Sequence, residues 1–178
     1  MKTVQIKDKH FVPYISNQEI HDALQQLATA INRDMAEKCP VFLGILNGCF
    51  RVIGDLMQYI NIPCEVSFVK LASYEGMQTT GTIRNLIGLS QSLENRHIVI
   101  VEDIIDSGIT IDYTIRLLQD MGVASVRVAT LLLKPEALKR DIKADYTAFR
   151  IPNDFVVGYG LDYDGLGREL NDIYTLKQ

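Results

Sequence analysis

The sequence predicts an α/β fold: a central parallel β-sheet flanked by helices, with a small hood or lid beside it. Three observations carry this. Continuous apolar runs of strand length recur at Val41–Leu46, His97–Val101 and Ser125–Leu133, and strands apolar on both faces suit the middle of a parallel sheet that helices cover on both sides. Helically spaced stretches, Phe50–Ile60 and Thr110–Met121, separate those runs, giving the strand–helix–strand alternation of right-handed crossovers. No repeat, low-complexity segment or Pro/Gly-rich linker divides the 178 residues, a length that suits one well-buried core, so a single domain over 1–178 is expected.

The elements follow in order. Ser16-Asn17-Gln18-Glu19 has the form of a capping box, with Ser16 as N-cap and Glu19 reaching back to it. Ile20, Leu24, Leu27, Ala28 and Ile31 then recur at helical spacing, predicting an amphipathic helix to about Glu37. Pro40 separates it from the first strand, Val41–Leu46, and the helix Phe50–Ile60 follows. A further strand is expected at Cys64–Leu71, then a polar stretch from Ser73 to Thr82 and a short return strand near Asn85–Leu89. Gly122 ends the helix that starts at Thr110, as glycine commonly does. From Asp145 to Leu176 the one remaining apolar run, Phe155–Tyr159, does not alternate with helices. It is expected to form the hood together with the N-terminal segment.

Bulk composition narrows the function. Hydrophobic residues at 47% and charged residues at 22% are ordinary for a soluble globular chain. A net charge of -4 argues against a nucleic-acid binder, which needs a basic face, and leaves room for a local basic pocket. Cys39, Cys49 and Cys64 form neither a C-x-x-C pair nor a metal-ligand spacing, so they read as reduced, buried thiols. The stretch Met1–His10 lacks the apolar core of a signal peptide, and no apolar run approaches the roughly 20 residues that span a bilayer. A soluble, cytoplasmic protein without nucleic-acid or membrane partners is expected.

The most informative segment is Ile98–Thr110, in which a buried strand runs into Glu102 and Asp103, then Ile104 and Ile105, then the turn Asp106-Ser107-Gly108-Ile109-Thr110 and a helix. Ligands of open α/β sheets bind beyond the carboxyl ends of the strands. A glycine-containing turn at a helix N-terminus offers backbone N–H groups and two hydroxyls, which suits a phosphate monoester. The neighbouring acids suit ribose hydroxyls and a hydrated Mg²⁺, which prefers oxygen ligands. The bland alternative is that Glu102 and Asp103 end a strand and Asp106 caps a helix; five polar residues in this order weigh against it.

This segment resembles the phosphoribosyl-pyrophosphate motif of the type I phosphoribosyltransferases, a Rossmann-like family, and its E-D-I-I-D-S-G form is most like the hypoxanthine-guanine branch. The resemblance implies a magnesium-dependent enzyme of purine salvage. It would transfer the phosphoribosyl group of phosphoribosyl pyrophosphate to hypoxanthine, and to guanine, with release of pyrophosphate. Glu102 and Asp103 would address the ribose hydroxyls and the metal, the turn from Asp106 to Thr110 would cradle the 5-phosphate, and Asp106 would take the proton from the purine ring nitrogen.

Four further segments match the same family in order. Leu46-Asn47-Gly48 resembles the pyrophosphate loop, whose contact is a backbone N–H; many relatives carry Lys where this chain has Asn47, so one positive charge is missing there. Ser73-Tyr74 resembles the start of a mobile loop, about 73–82, that closes over the site. Lys134 matches the residue that donates to the exocyclic oxygen of a 6-oxopurine. In the last segment Phe155 would stack on the base, Val156 would meet its edge through the backbone, Asp162 would complete the Mg²⁺ shell and Arg168 would clamp pyrophosphate. Family likeness also implies a homodimer or homotetramer. A regulator that senses nucleotides without catalysis is the rival, disfavoured by the joint presence of Asp106, Lys134, Asp162 and Arg168. Asp162-Tyr163-Asp164-Gly165 lacks the later ligands of a calcium loop, and no P-loop or dinucleotide fingerprint is present.

Overall fold

A computed structural model describes residues 3–72, 84–87 and 92–177. The segments expected to form the mobile loop, with Ser73 and Tyr74, lie outside the described residues.

The larger sheet has six strands: β3 (Val41–Leu46), β4 (Glu65–Ala72), β5 (Arg84–Ile87), β6 (His97–Ile105), β7 (Ser125–Leu133) and β8 (Tyr146–Arg150). Their order is β5-β4-β3-β6-β7-β8. The five strands from β4 to β8 pair in parallel, and the return strand β5 runs antiparallel along β4. The apolar runs alternate between two cores, as successive strand residues must. Val41, Leu43 and Ile45 of β3 join Ile98 and Ile100 of β6 under α3 (Ile109–Asp120). Phe42, Val99 and Val101 face the opposite way, into Ile20, Leu24 and Ile31 of α1 (Asn17–Asp34) and Val52 and Leu56 of α2 (Cys49–Met57).

The helices start where the sequence signals them. The Ser16 N–H donates to Glu19 Oε2 at 2.8 Å and the Glu19 N–H donates to Ser16 Oγ at 3.3 Å, so both arms of the capping box form. At its far end α1 stops at Asp34, short of the expected Glu37. Gly122, at φ 74°, follows α3 as expected.

Two elements differ from expectation. β6 does not end at Val101 but continues to Ile105, because Glu102, Ile104 and Ile105 keep pairing with Thr130, Leu132 and Leu133 of β7. Glu102 and Asp103 therefore sit within the strand. The C-terminal third also supplies β8 to the main sheet, placed beside β7 after only a 3₁₀ turn at Pro135–Ala137.

A second, four-stranded antiparallel sheet is built from the two ends of the chain. β1 (Val4–Ile6) and β2 (Lys9–Ile15) come from the N-terminal side, β9 (Val156–Val157) and β10 (Ile173–Leu176) from the C-terminal side, in the order β1-β2-β10-β9. Only two residues of the apolar run Phe155–Tyr159 are strand. Ile6, Phe11, Val157 and Tyr174 form a small core of their own in this sheet. No helix among the described residues is long and apolar enough to cross a membrane.

Candidate active site

Parallel pairing sets the carboxyl ends of β3, β6 and β7 side by side, and a cleft of about 320 Å³ opens there. Its walls bring together Leu46, Asn47 and Gly48 after β3, Glu102 to Gly108 and Thr110 along β6 and the turn, and Asp162 and Arg168 from the C-terminal loop. Segments widely separated in sequence thus converge on one hollow. Ile45, Leu71 and Ile111 also line it; they were not anticipated, although each adjoins a strand end or turn that was.

The turn departs from a simple helix cap. Gly108 is the N-cap of α3, left-handed at φ 75°, and no side chain caps the helix. The first-turn N–H groups of a helix have no intrahelical partner; here the Ile109 N–H donates to Ser107 Oγ at a long 3.4 Å, a weak bond that an anion at the helix N-terminus can replace. Asp106 does not cap. Its Oδ2 accepts from Lys134 Nζ at 2.9 Å, with the Lys134 side chain buried and that of Asp106 54% exposed. Lys134 reaches this position because it directly follows β7 and its N–H donates to the Ile105 carbonyl at 2.9 Å. Ile109, expected in the phosphate turn, is instead the exposed first residue of α3 and is not a cleft-lining residue.

Glu102 and Asp103 are 7% and 8% exposed. Burial pushes the Glu102 carboxyl well above the usual carboxylate range, and the neighbouring Asp103 charge adds to the shift. Burial also raises Asp103, while a bond from Glu102, the Ile104 N–H and the more distant Arg168 pull the other way. Cys49, buried beside Glu102 and Asp103, has its thiol pushed up to about 12 by burial and then by both acids; of the other two cysteines expected to be buried, Cys39 is exposed and Cys64 half-buried. Gly48 lies against the same acid pair: its backbone is ordinary for any residue, at φ -61° and ψ -33°, but a Cβ there would fall inside the Asp103 carboxylate. The preceding Leu46–Asn47 peptide bond is cis.

Across the cleft, Arg168 Nη2 lies 2.6 Å from Asp162 Oδ1, Arg168 Nη1 donates to the Gly160 carbonyl at 2.5 Å, and Asp162 Oδ2 accepts from the Gly165 N–H at 2.7 Å. Asp162 is therefore committed to its own loop. Among the described residues no three acidic, histidine or cysteine side chains come together as a metal-ligand cluster, so Glu102, Asp103 and Asp162 do not form a ready-made cage. The oxygen donors of Glu102 and Asp103 nonetheless fit Mg²⁺, which keeps several water or substrate ligands and needs few from protein.

Phe155 and Val156 stand apart from the cleft lining. Val156 is buried within β9. Phe155 is 41% exposed and belongs to an aromatic group, 6.2 Å from Phe11 and 5.7 Å edge-on from Tyr163, with Lys9 Nζ 5.2 Å from its centroid. An open ring on a fixed mount is suited to stacking.

Residues 14–164 match the sequence family described as phosphoribosyl transferase domain. The chain is 40% identical to a hypoxanthine-guanine phosphoribosyltransferase of Streptococcus pneumoniae over 92% of each chain. It is 37% identical to that of Bacillus subtilis over 92% of this chain and 91% of the relative. A crystal structure of a hypoxanthine phosphoribosyltransferase from Staphylococcus aureus superposes with a TM-score of 0.89 at 36% identity, covering 93% of this chain and 91% of that one.

Proposed function

The chain belongs to the phosphoribosyltransferase family, in its hypoxanthine-guanine branch, and from that premise we propose that it converts hypoxanthine, and guanine, with phosphoribosyl pyrophosphate into the purine 5'-monophosphate and pyrophosphate. The observation that carries the reading is the Lys134–Asp106 pair beside the uncapped turn of α3. It puts a buried cationic donor and an open carboxylate next to a phosphate-suited turn.

The reaction replaces one bond at the anomeric carbon by another. The purine ring nitrogen forms the new bond, the bond to the pyrophosphate oxygen breaks with its electron pair, and Asp106 takes the proton from the nitrogen. The α3 N-terminus with Ser107 and Thr110 holds the 5-phosphate, which fixes the ribose relative to Asp106. Lys134 donates to the 6-oxygen of the base. An amino group in that place would set donor against donor, so adenine is rejected. Phe155 stacks on the base and Val156 meets its edge.

Leaving-group charge is met from the other wall. The backbone of Leu46-Asn47-Gly48 donates to pyrophosphate, and Arg168 exchanges its bond with Asp162 for paired bonds to phosphoryl oxygens. Glu102 and Asp103, with Asp162 once Arg168 has left it, would hold Mg²⁺, which supplies neutralisation of the charge that builds on pyrophosphate. Ser73 and Tyr74 belong to the same side by resemblance. A homodimer or homotetramer completes the reading.

Initial rates with hypoxanthine, guanine, xanthine and adenine, each with phosphoribosyl pyrophosphate and Mg²⁺, test it. Hypoxanthine is expected to be consumed with stoichiometric pyrophosphate release. Adenine used as efficiently as hypoxanthine would refute the role given to Lys134.

A further inference from the structure

The loop that carries Asp162 and Arg168 is tied to α2 by a set of contacts that the reaction as described does not use. Arg51 lies in the first turn of α2, shortly after Gly48. Its Nη1 donates to the Leu170 carbonyl at 2.8 Å and, more weakly, to the Glu169 carbonyl at 3.4 Å, and its Nη2 donates to Asn171 Oδ1 at 3.2 Å. The guanidinium carbon stands 4.7 Å from the centroid of the Tyr159 ring. One turn further along α2, Asp55 Oδ2 accepts from the Tyr159 hydroxyl at 2.5 Å, and Tyr159 is fully buried. Burial of a hydroxyl is costly unless it is bonded, so this contact fixes the ring in one place.

Main-chain bonds carry that fixity to Arg168. The Tyr159 N–H donates to the Leu170 carbonyl at 2.9 Å and the Gly160 N–H to the Arg168 carbonyl at 3.1 Å. Gly160, at φ 99°, lies so close to Gly48 that a Cβ there would meet the Gly48 carbonyl. The two loops that face the leaving group are thus in direct contact and share one support. Lys134 and Asp106 directly follow β7 and β6, outside it.

We propose that Arg51 and the Tyr159–Asp55 pair are positioning residues for the leaving-group side. They hold Arg168 level with the Asn47–Gly48 loop so that both meet the same pyrophosphate. This rests on the function proposed above.

A kinetic double-mutant cycle tests it, because residues acting through one group lose additivity. Arg51→Met is expected to raise KM for phosphoribosyl pyrophosphate on the order of 10-fold, the scale seen when a supporting partner of a binding group is lost, and to leave KM for hypoxanthine unchanged. Arg51→Lys, which keeps one bond to the Leu170 carbonyl, should recover part of the loss. In an Arg168→Ala background Arg51→Met should add nothing. If Arg51→Met fails to fold, Tyr159→Phe, which removes one oxygen, takes its place in the same cycle with the same expectations. An equal rise in KM for hypoxanthine, or full additivity with Arg168→Ala, overturns the positioning role while the functional reading stands. Failure of the wild-type protein to use phosphoribosyl pyrophosphate at all overturns both.

Discussion

Among the described residues the charged group bonded to Asp106 is Lys134, and that contact distinguishes Asp106 from a helix cap. A capping aspartate would spend its oxygens on the first N–H groups of α3, whereas here Gly108 occupies the N-cap position with no side-chain bond. Asp106→Asn should therefore fold normally and bind phosphoribosyl pyrophosphate with little change, since the turn's N–H groups and hydroxyls are untouched. Its turnover should fall by about 10²–10⁴-fold, the usual contribution of a general acid–base group. Circular dichroism and steady-state rates check this together, and near-normal turnover in a folded variant would return Asp106 to a structural part. The residues from Glu102 to Thr110 were legible because they are consecutive and end in an unusual acid-Ser-Gly turn. Arg51 and Tyr159 were not: a basic residue in an amphipathic helix and a tyrosine between glycines carry no signal until the fold brings them within 4.7 Å.

Among the elements, legibility followed burial. The runs that became β3, β6 and β7 are almost wholly buried, and nothing but a central strand accounts for such sequences. β8 escaped notice because it is an edge strand with a mixed pattern of burial, and because no crossover helix announces it. Its anchor is Tyr146, whose hydroxyl donates to Asp34 Oδ2 at 3.1 Å, joining the sheet edge to the end of α1. Burial, and then that bond, push the Tyr146 phenol up to about 12 from an ordinary value of 10.0. The folded state therefore keeps this proton at pH values where the unfolded chain has lost it. The stabilisation is complete below pH 10 and disappears as pH rises through about 12. The urea midpoint of the wild-type protein should therefore fall as pH rises from 10.0 to about 12. Tyr146→Phe should lower the midpoint at neutral pH, the lost bond costing on the order of 1 kcal/mol, and make its alkaline decline shallower; an equally steep decline in the variant would assign the sensitivity to another group, such as buried Tyr159, which is raised in the same direction.

For the molecule as a whole, the two sheets carry different parts of the candidate site: the larger sheet presents Glu102, Asp103 and the turn after β6, and the antiparallel one carries Val156, with Phe155 directly before it. The larger sheet is held by apolar clusters on both faces. Excess EDTA should accordingly abolish turnover, with recovery on adding Mg²⁺, while the thermal melting curve stays where it was; full turnover in chelator would refute the metal requirement. In the antiparallel sheet β10 is inserted between β2 and β9, and among the described residues the strand partners of Val12 and Pro13 are Thr175 and Tyr174. Synthesis runs from the N-terminus, and domains generally fold in that order. A chain growing on the ribosome completes the strand, turn and helix that would face phosphate well before the wall that would face the purine can close. A chain cut shortly before Ile173 would thus lack the strand that joins β2 to β9 and leave open the side on which a purine would sit.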